Sequence, residues 1–475
     1  MYKSLYQSLK FDSLLDILIS KILPTLNNKN VHIDFNINSD RSFVDKVKEV
    51  TSLNVTLYHN KANNNYPPVD SASIKIEAGD LSNLVGGGTD MMRHPFSDMA
   101  VLKSKAEFLE RLSAALPLDH AVKVDYSIDR TFDLIKSQKL KVKSILNKDT
   151  IIKNYEYIYY YFNKYVKILE SNTNNKNIQM TTNGCAGHFD YDQAVLAAWL
   201  EYIQRDGFLV YWLNTISPKV IDIDTYLVDS NEKIGNSKKG DLFKILKDFK
   251  KYNIEYYFLD ITSDIDVPNV LCVILSEVRG VKRMHMGSGT GFDTNQALMS
   301  AALEAMANST FRYTKESQPF EVKGYKPFID KGIDKNKRQD IYYEKGMIDN
   351  INFIFKSTES ISVEDWGSVN GEIKKRGYDT GRLADDTPYQ MQYLKDIFKE
   401  RIATNPNYNV YVYEYQNKLI KYWDYKVVRI ICPALYSLYL TESYADPEHP
   451  RLAEFVRNKG WEHKAKLNIW PHPFP

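Results

Sequence analysis

Residues 104–111 read Ser104-Lys105-Ala106-Glu107-Phe108-Leu109-Glu110-Arg111, inside a longer run, Met99–Leu116, whose apolar residues recur at helical spacing. At about 100° per residue, Ser104, Glu107, Glu110 and Arg111 share roughly a third of the helix circumference. Such a helix turns an apolar stripe to a core and presents two acids beside an arginine on its other side. Two later stretches echo it. Tyr191–Phe208 reads as a helix carrying Glu201-Tyr202-Ile203-Gln204-Arg205-Asp206, with an amide in place of the second acid. Thr294–Arg312 reads as a third helix, with Glu304 and Asn308 one turn apart on one face.

Two carboxylates one turn apart cannot both stay ionised in a low-dielectric pocket unless something offsets their repulsion. A hard divalent cation does so: Mg²⁺ takes carboxylate oxygens and fills its shell with water and substrate phosphates. An adjacent arginine adds a planar fork for phosphate oxygens. On any one helix the ordinary reading is a surface ion pair, Glu107 with Arg111, worth ~0.3 kcal/mol. Recurrence at matching spacing shifts the balance toward a site. Two glycine-rich stretches, Gly86-Gly87-Gly88-Thr89 and Gly287-Ser288-Gly289-Thr290-Gly291, precede the first and third helices. They are expected as loops, with exposed amides able to approach a phosphate. Neither is a Walker A or a GxGxxG. Thr181-Thr182-Asn183-Gly184-Cys185-Ala186-Gly187 leads into the second helix, where the Asn183 amide can face a metal or a phosphate.

The rest of the chain sets bounds. Its 475 residues allow about three domains of ~150 residues. A 43% hydrophobic and 26% charged composition supports a globular core and excludes wholesale disorder. Sixty-two Lys+Arg against 60 Asp+Glu leave a charge of +2, so bulk basicity gives no reason to expect nucleic acid. Cys185, Cys272 and Cys432 form no CxxC, which excludes a disulfide scaffold and a Cys-based zinc site. The N-terminal segment lacks a continuous apolar h-region, and runs such as Val270–Leu275 and Ile430–Leu440 fall far short of the ~20 residues that span a bilayer. A cytoplasmic chain without membrane contact is expected.

Polar breaks at 27–30, 60–68 and 171–177 divide the chain, and 330–342 reads as a solvated surface loop or helix. Val31–Ile37, Leu53–Tyr58, Phe208–Trp212, Val270–Val278 and Val427–Cys432 read as strands among amphipathic helices. This mixture predicts an α/β or α+β fold, mixed or antiparallel sheets flanked by helices. Residues 1–75 are expected as a small N-terminal α/β region for partner or peptide contact, and 76–475 as the main body. The lysine-rich stretch 136–153 reads as a solvated face. The chain closes on Trp470-Pro471-His472-Pro473-Phe474-Pro475. Proline fixes φ, so this tail is stiff, extended and loses little entropy on docking.

Together these residues resemble the YcaO family, and within it the azoline-forming cyclodehydratases, from about Gly86 to Pro475. The pattern S-x-x-E-x-x-E-R is matched by Ser104, Glu107, Glu110 and Arg111. N-G-x-A-x-G followed by E-x-x-E-R-D is matched by Asn183, Gly184, Ala186, Gly187, Glu201, Arg205 and Asp206. The third helix matches at Glu304, V-x-R-x-x-x-P at Val427, Arg429 and Pro433, and the alternating prolines match a PxPxP ending.

The resemblance implies an unusual ATP-binding fold in which Glu107, Glu110, Glu201, Gln204 and Glu304 hold Mg²⁺. Ser104, Arg111, Asn183, Arg205, Asn308 and Arg429 would then grip the nucleotide. Pro471, Pro473 and Pro475 would form a catalytic tail whose Pro475 carboxylate orients or accepts protons. It implies cyclodehydration of Cys, Ser or Thr in a ribosomal precursor peptide, in a pathway similar to that of streptolysin S or microcin B17. The related alternatives are thioamide or amidine formation and a non-catalytic scaffold. The partners it implies are a leader-binding protein similar to ubiquitin-activating enzymes and a flavin-dependent azoline dehydrogenase, with a homodimer left open. Four positions depart from the family pattern: Gln204 for Glu, Asn308 for Gln, Ser300 where Arg is common, and Tyr436 where Glu is frequent. Gln204 and Asn308 keep a carbonyl oxygen, but Gln204 removes one negative charge, so weaker metal or nucleotide affinity is expected.

Overall fold

Three sheets and the helices laid across them carry the chain in the computed structural model. It describes residues 40–51, 54–60, 69–76, 85–91, 99–115, 139–146, 150–154, 181–228, 238–278, 281–310, 325–329, 338, 341–343, 346–440, 442–461 and 466–474. The segment Val31–Ile37 lies outside them.

Strands β1 (Val55–Asn60), β2 (Val69–Ile76) and β3 (Val85–Met91) form an antiparallel sheet with β2 in the centre. Ala72, Ile74 and Ile76 alternate to its buried face, as the two-residue period of a half-covered strand requires. Helices α1 (Asp40–Thr51) and α2 (Met99–Ala115) supply Phe43, Val47, Phe108, Leu109 and Leu112 to the same cluster. Trp423 and Val427 join it, and Trp423 stacks on Phe43 with ring centroids 5.0 Å apart. The boundary expected between residues 75 and 76 therefore falls inside β2, and the described part of 40–76 shares its core with the C-terminal half.

The second sheet runs β5 (Thr150–Asn154), β4 (Lys139–Ser144), β12 (Tyr411–Glu414), β13 (Lys426–Ile431), β6 (Cys185–His188), antiparallel throughout. The lysine-rich stretch is the β4–β5 hairpin at its edge, not a uniformly solvated face. Val142 is buried and Lys143 exposed, so the hairpin keeps one face in the core. The third sheet runs β10 (Val281–Thr290), β9 (Asn269–Val278), β8 (Glu255–Asp260), β7 (Lys219–Asp222), β11 (Ser360–Ser362), with only the β7–β11 pair parallel.

Helix α3 (Tyr191–Leu213) ties the second and third sheets together, packing on β6 and β13 and on β9 and β10. The Asp190 side chain caps its start by accepting from the Gln193 N–H at 2.9 Å. The predicted strand Phe208–Trp212 is the end of this helix. All five residues are buried, and an apolar run covered on every side has no period to tell helix from strand.

Helix α5 (Thr294–Thr310) lies across β10 and β9, with α4 (Lys238–Lys251) beside it. The expected glycine loop before α5 is strand instead, since residues 287–290 belong to β10. A Cβ on Gly287 would run into the backbone of Ala301 and Ala305, and one on Gly289 into Ala297. The glycines let the helix settle onto the strand. Gly86, Gly87 and Gly88 likewise lie in β3, which packs against α2. Among the described residues no helix is long and apolar enough to cross a membrane.

Candidate active site

Three helices bring their acids within electrostatic reach of one another. Glu107 and Glu110 come from α2, Glu201 from α3 and Glu304 from α5. Burial first, then repulsion from Glu107 and Glu201, pushes the Glu110 carboxyl well above its usual range. Burial raises Glu201 to about 7; Arg205 and Arg429 pull it down, while Glu304 and Glu107 push it up. Glu304 is raised mainly by burial, with Glu107 adding to it against Arg205. Backbone donors fix two of the acids: the Gly187 N–H donates to Glu110 Oε1 at 2.9 Å and the Ser288 N–H to Glu304 Oε2 at 2.7 Å. The second bond gives a glycine-flanked strand residue a task in the site, as an anchor for an acid.

The cations sit among these carboxylates. Arg111 pairs with Glu107 one turn away. Arg205 lies 3.8 Å from both Glu201 and Glu304. Arg429 on β13 is buried, with Nη1 3.7 Å from Cys185 Sγ on β6. Gln204 Nε2 donates to Ser288 Oγ. Asn183 Nδ2 donates to Ser437 Oγ at 2.9 Å, while its Oδ1 is buried with no protein partner. Ser104 is fully buried, and its hydroxyl donates back to the Val101 carbonyl at 2.7 Å. Asn308 lies on α5, but its side chain is outside the described set. Ser300 accepts from Gln296 at 3.1 Å, and the Tyr436 hydroxyl is taken up by the Asp446 backbone.

The proline-rich tail docks along the second half of α3. Asn468 N–H donates to Leu213 O at 2.7 Å, Trp212 Nε1 to Trp470 O at 3.1 Å, and Tyr342 Oη to Pro471 O. Pro471, His472, Pro473 and Phe474 are all buried. Arg338 Nη1 donates to Tyr439 O at 2.7 Å and lies against the His472 ring, which stands edge-on to Tyr439 at 4.6 Å. Burial, then the Arg338 charge, holds the His472 imidazole well below its usual range, so it docks neutral. The stretch 330–342, expected at the surface, thus supplies three fully buried residues, Arg338, Ile341 and Tyr342. The tail forms part of their cover: Tyr342 donates to Pro471 O, and Arg338 lies against His472. Phe474 reaches the acid face, its ring 4.2 Å beneath the Arg205 guanidinium. Pro475 lies outside the described residues.

A family profile described as YcaO cyclodehydratase, binding ATP and Mg²⁺, matches residues 136–436, well over half of the chain. The chain belongs to the YcaO family. ATP and Mg²⁺ are this family's ligands. A search of curated proteins found no match. Among solved structures, a heterocyclase in complex with substrate and cofactor is similar at TM-score 0.63 and 14% identity, over 91% of this chain and 57% of that one. The heterocyclase TruD is similar at TM-score 0.51 and 14% identity, over 79% of this chain and 50% of that one. YcaO from Methanopyrus kandleri, bound with AMPPCP and Mg²⁺, is similar at TM-score 0.53 and 13% identity, over 86% and 92%. At these identities the likeness is one of fold, and the chain spans about half the length of the first two.

The residues present suit a Mg²⁺–triphosphate. Carboxylates that repel one another and have raised pKa values are a set a cation would stabilise, and the buried Asn183 Oδ1 and two Arg205 guanidinium nitrogens have no protein hydrogen-bond partner. Among the described residues no three His, Cys, Asp or Glu converge on one metal position. Each ion would therefore be held by carboxylates in ones and twos, with phosphate oxygens and water completing its shell. Protons then compete with the metal. If Glu201 holds the metal, it must be ionised to do so; burial pushes its carboxyl up to about 7, so Mg-nucleotide affinity should fall as pH drops from 8 to 6. The expected slope below 7 is about tenfold per pH unit for one displaced proton. Calorimetry in buffers of different ionisation enthalpy reads the proton release directly, and a pH-independent affinity would count against Glu201 as a ligand.

Some contributors carried no sequence signal. Arg451, on α7 (Pro450–Asn458; α6 is Thr387–Ile402), is fully buried and grips Asp206 through Nε at 3.0 Å and Nη2 at 2.7 Å. It also reaches Asp264 at 2.6 Å, and Asp206 accepts from the Tyr436 N–H at 2.8 Å. This locks the turn of α3 that carries Arg205 to the C-terminal segment. The one available hint was the acid after Arg205, because a buried carboxylate requires a partner cation.

Proposed function

We propose that this YcaO chain is an ATP- and Mg²⁺-dependent peptide cyclodehydratase. It would convert Cys, Ser or Thr residues of a ribosomal precursor peptide into thiazolines or (methyl)oxazolines. The observation that carries this reading is the meeting of Glu107, Glu110, Glu201 and Glu304 with Arg205 beside a docked proline-rich tail.

The side-chain sulfur or oxygen would give up its proton to a base or to water and attack the preceding backbone carbonyl carbon, and the resulting oxyanion would take the γ-phosphoryl group of ATP, releasing ADP. The C–O bond then breaks with phosphate as leaving group, the nitrogen lone pair forms C=N, and the nitrogen loses its proton. An amide oxygen leaves badly on its own, and phosphorylation corrects that. When bound, Mg²⁺ would supply charge neutralisation on the transferring phosphoryl group. Arg205 and Arg111 would orient phosphate oxygens, and Asn183 would offer its amide oxygen at the same face. Pro475, next in sequence to Phe474, is the group proposed to orient or take up protons there.

A leader-binding partner, the precursor peptide and, where azoles are the end product, a flavin-dependent dehydrogenase belong to this reading. The test combines the purified chain, its leader-binding partner, a precursor peptide and Mg-ATP, followed by mass spectrometry. Loss of one water per modified residue with matching ATP consumption is expected. Unchanged peptide with no nucleotide turnover would defeat the proposal. Replacement of oxygen by sulfur in the product would move the reading to thioamide formation.

A further inference from the structure

Arg205 occupies an unusual position for a partly buried arginine. Its two ion-pair partners, Glu201 and Glu304, stand at 3.8 Å, beyond hydrogen-bond length, and two guanidinium nitrogens are buried without a hydrogen-bond partner. Ion pairs that loose do not fix the orientation of a planar group. What fixes it is the ring below: Phe474 lies 4.2 Å from the guanidinium carbon, within the range where a desolvated cation is held by an aromatic face. The ring is itself fully buried and leans on Phe208, three residues along α3 from Arg205, at 4.9 Å. It arrives there on a tail held by Tyr342, Trp212 and the Arg338–His472 contact.

We propose that Phe474 is the positioning residue for Arg205: the docked tail carries an aromatic platform that aims the guanidinium at the nucleotide phosphates. The proposal rests on the reading of the acid face as a Mg-nucleotide site. Stacking holds the cation by its face and leaves its in-plane donors unspent, which hydrogen bonds to protein carboxylates would not do. Tail docking and phosphate binding are then coupled through one side chain.

The test uses the full chain and three variants, Phe474→Leu, Phe474→Tyr and Arg205→Ala, with Mg-ATP binding followed by calorimetry. Phe474→Leu keeps an apolar group in the pocket and loses the aromatic face. It should weaken Mg-ATP about tenfold, whereas Phe474→Tyr should stay within about twofold of the parent. On an Arg205→Ala background, Phe474→Leu should change the affinity no further. A second readout needs no nucleotide: the shifts in melting temperature for Phe474→Leu and Arg205→Ala should fall short of adding when combined. Equal affinities for the Leu variant and the parent, equal losses for Leu and Tyr, or additive melting shifts would each overturn the assignment. A parent chain that binds no Mg-ATP would sink the proposed function instead, and the melting cycle would still decide whether Phe474 holds Arg205.

Discussion

Glu201→Ala should reduce ring formation at least about 10²-fold, the scale on which removal of one charge-stabilising group acts at a reacting centre. At the same position, Glu201→Gln should make the nucleotide-free chain more stable above neutral pH. The two effects have one cause. The Glu201 carboxyl is raised from 4.5 to about 7 by burial and by Glu304 and Glu107, against the pull of Arg205 and Arg429. Folding therefore favours its protonated form. Below 4.5 the folded and unfolded chains are both protonated there and nothing is lost. Between 4.5 and about 7 the unfolded chain ionises first, and folding gives up as much as roughly 3 kcal/mol by pH 8. The isosteric amide escapes that cost. A salt-bridged surface acid would behave in the opposite way, since its removal would lower stability and leave catalysis untouched. The checks are mass spectrometry of the peptide product for the Ala variant and melting curves at pH 5 and pH 8 for the Gln variant. Full activity of Glu201→Ala, or a Gln variant that melts lower than the parent at pH 8, would remove Glu201 from the site. Glu107→Ala should cost activity on the same scale, because Glu107 faces Glu110, Glu201 and Glu304 together.

The acids were legible because a site built on helices leaves a period in the sequence. Glu107, Glu110 and Arg111 had to share a face, and so did Glu201 and Arg205; spacing alone fixes that. Which helices meet depends on long-range packing. Only the resemblance to a family joined α2, α3 and α5 beforehand. Features governed by burial were the ones misread. Phe208–Trp212 is helix, yet its uniformly apolar stretch suits a covered strand equally well. Gly287 and Gly289 look like punctuation in a sequence and serve as the low points on which α5 rests. Arg338 and Tyr342 belong to a polar stretch that any composition argument sends to solvent, and a tail more than a hundred residues later forms part of their cover. Phe474 occupies a position between the prolines where the pattern specifies nothing, and only the fold shows it beneath Arg205.

Deleting residues 470–475 should abolish ring formation, a loss of at least about 10²-fold, by removing the support of the site while leaving its acids in place. The deletion uncovers Phe208, Trp212, Tyr342 and Tyr439, all now buried, so a lowered melting temperature will accompany it. A milder change separates docking from folding. Pro471→Ala and Pro473→Ala together keep every contact made by Trp470, His472 and Phe474 but let the undocked tail sample more conformations. Each costs about 0.4–1 kcal/mol of docking free energy. Between them they should weaken activity by roughly four- to thirty-fold with little change in the melting of the body. An acid pH should act the same way. His472 docks neutral because burial and Arg338 depress its pKa, so an undocked tail takes up a proton first as pH falls through the ordinary histidine range near 6.5. Docking is then fully favoured above that range and is lost progressively below it. The fluorescence of Trp470, stacked on Tyr325 at 6.3 Å in the docked tail, reports the release. A tail that stays docked at pH 5 with unchanged Trp470 emission, or a truncated chain that still forms rings at the parent rate, would separate the proline segment from the chemistry and leave the acid face to act alone.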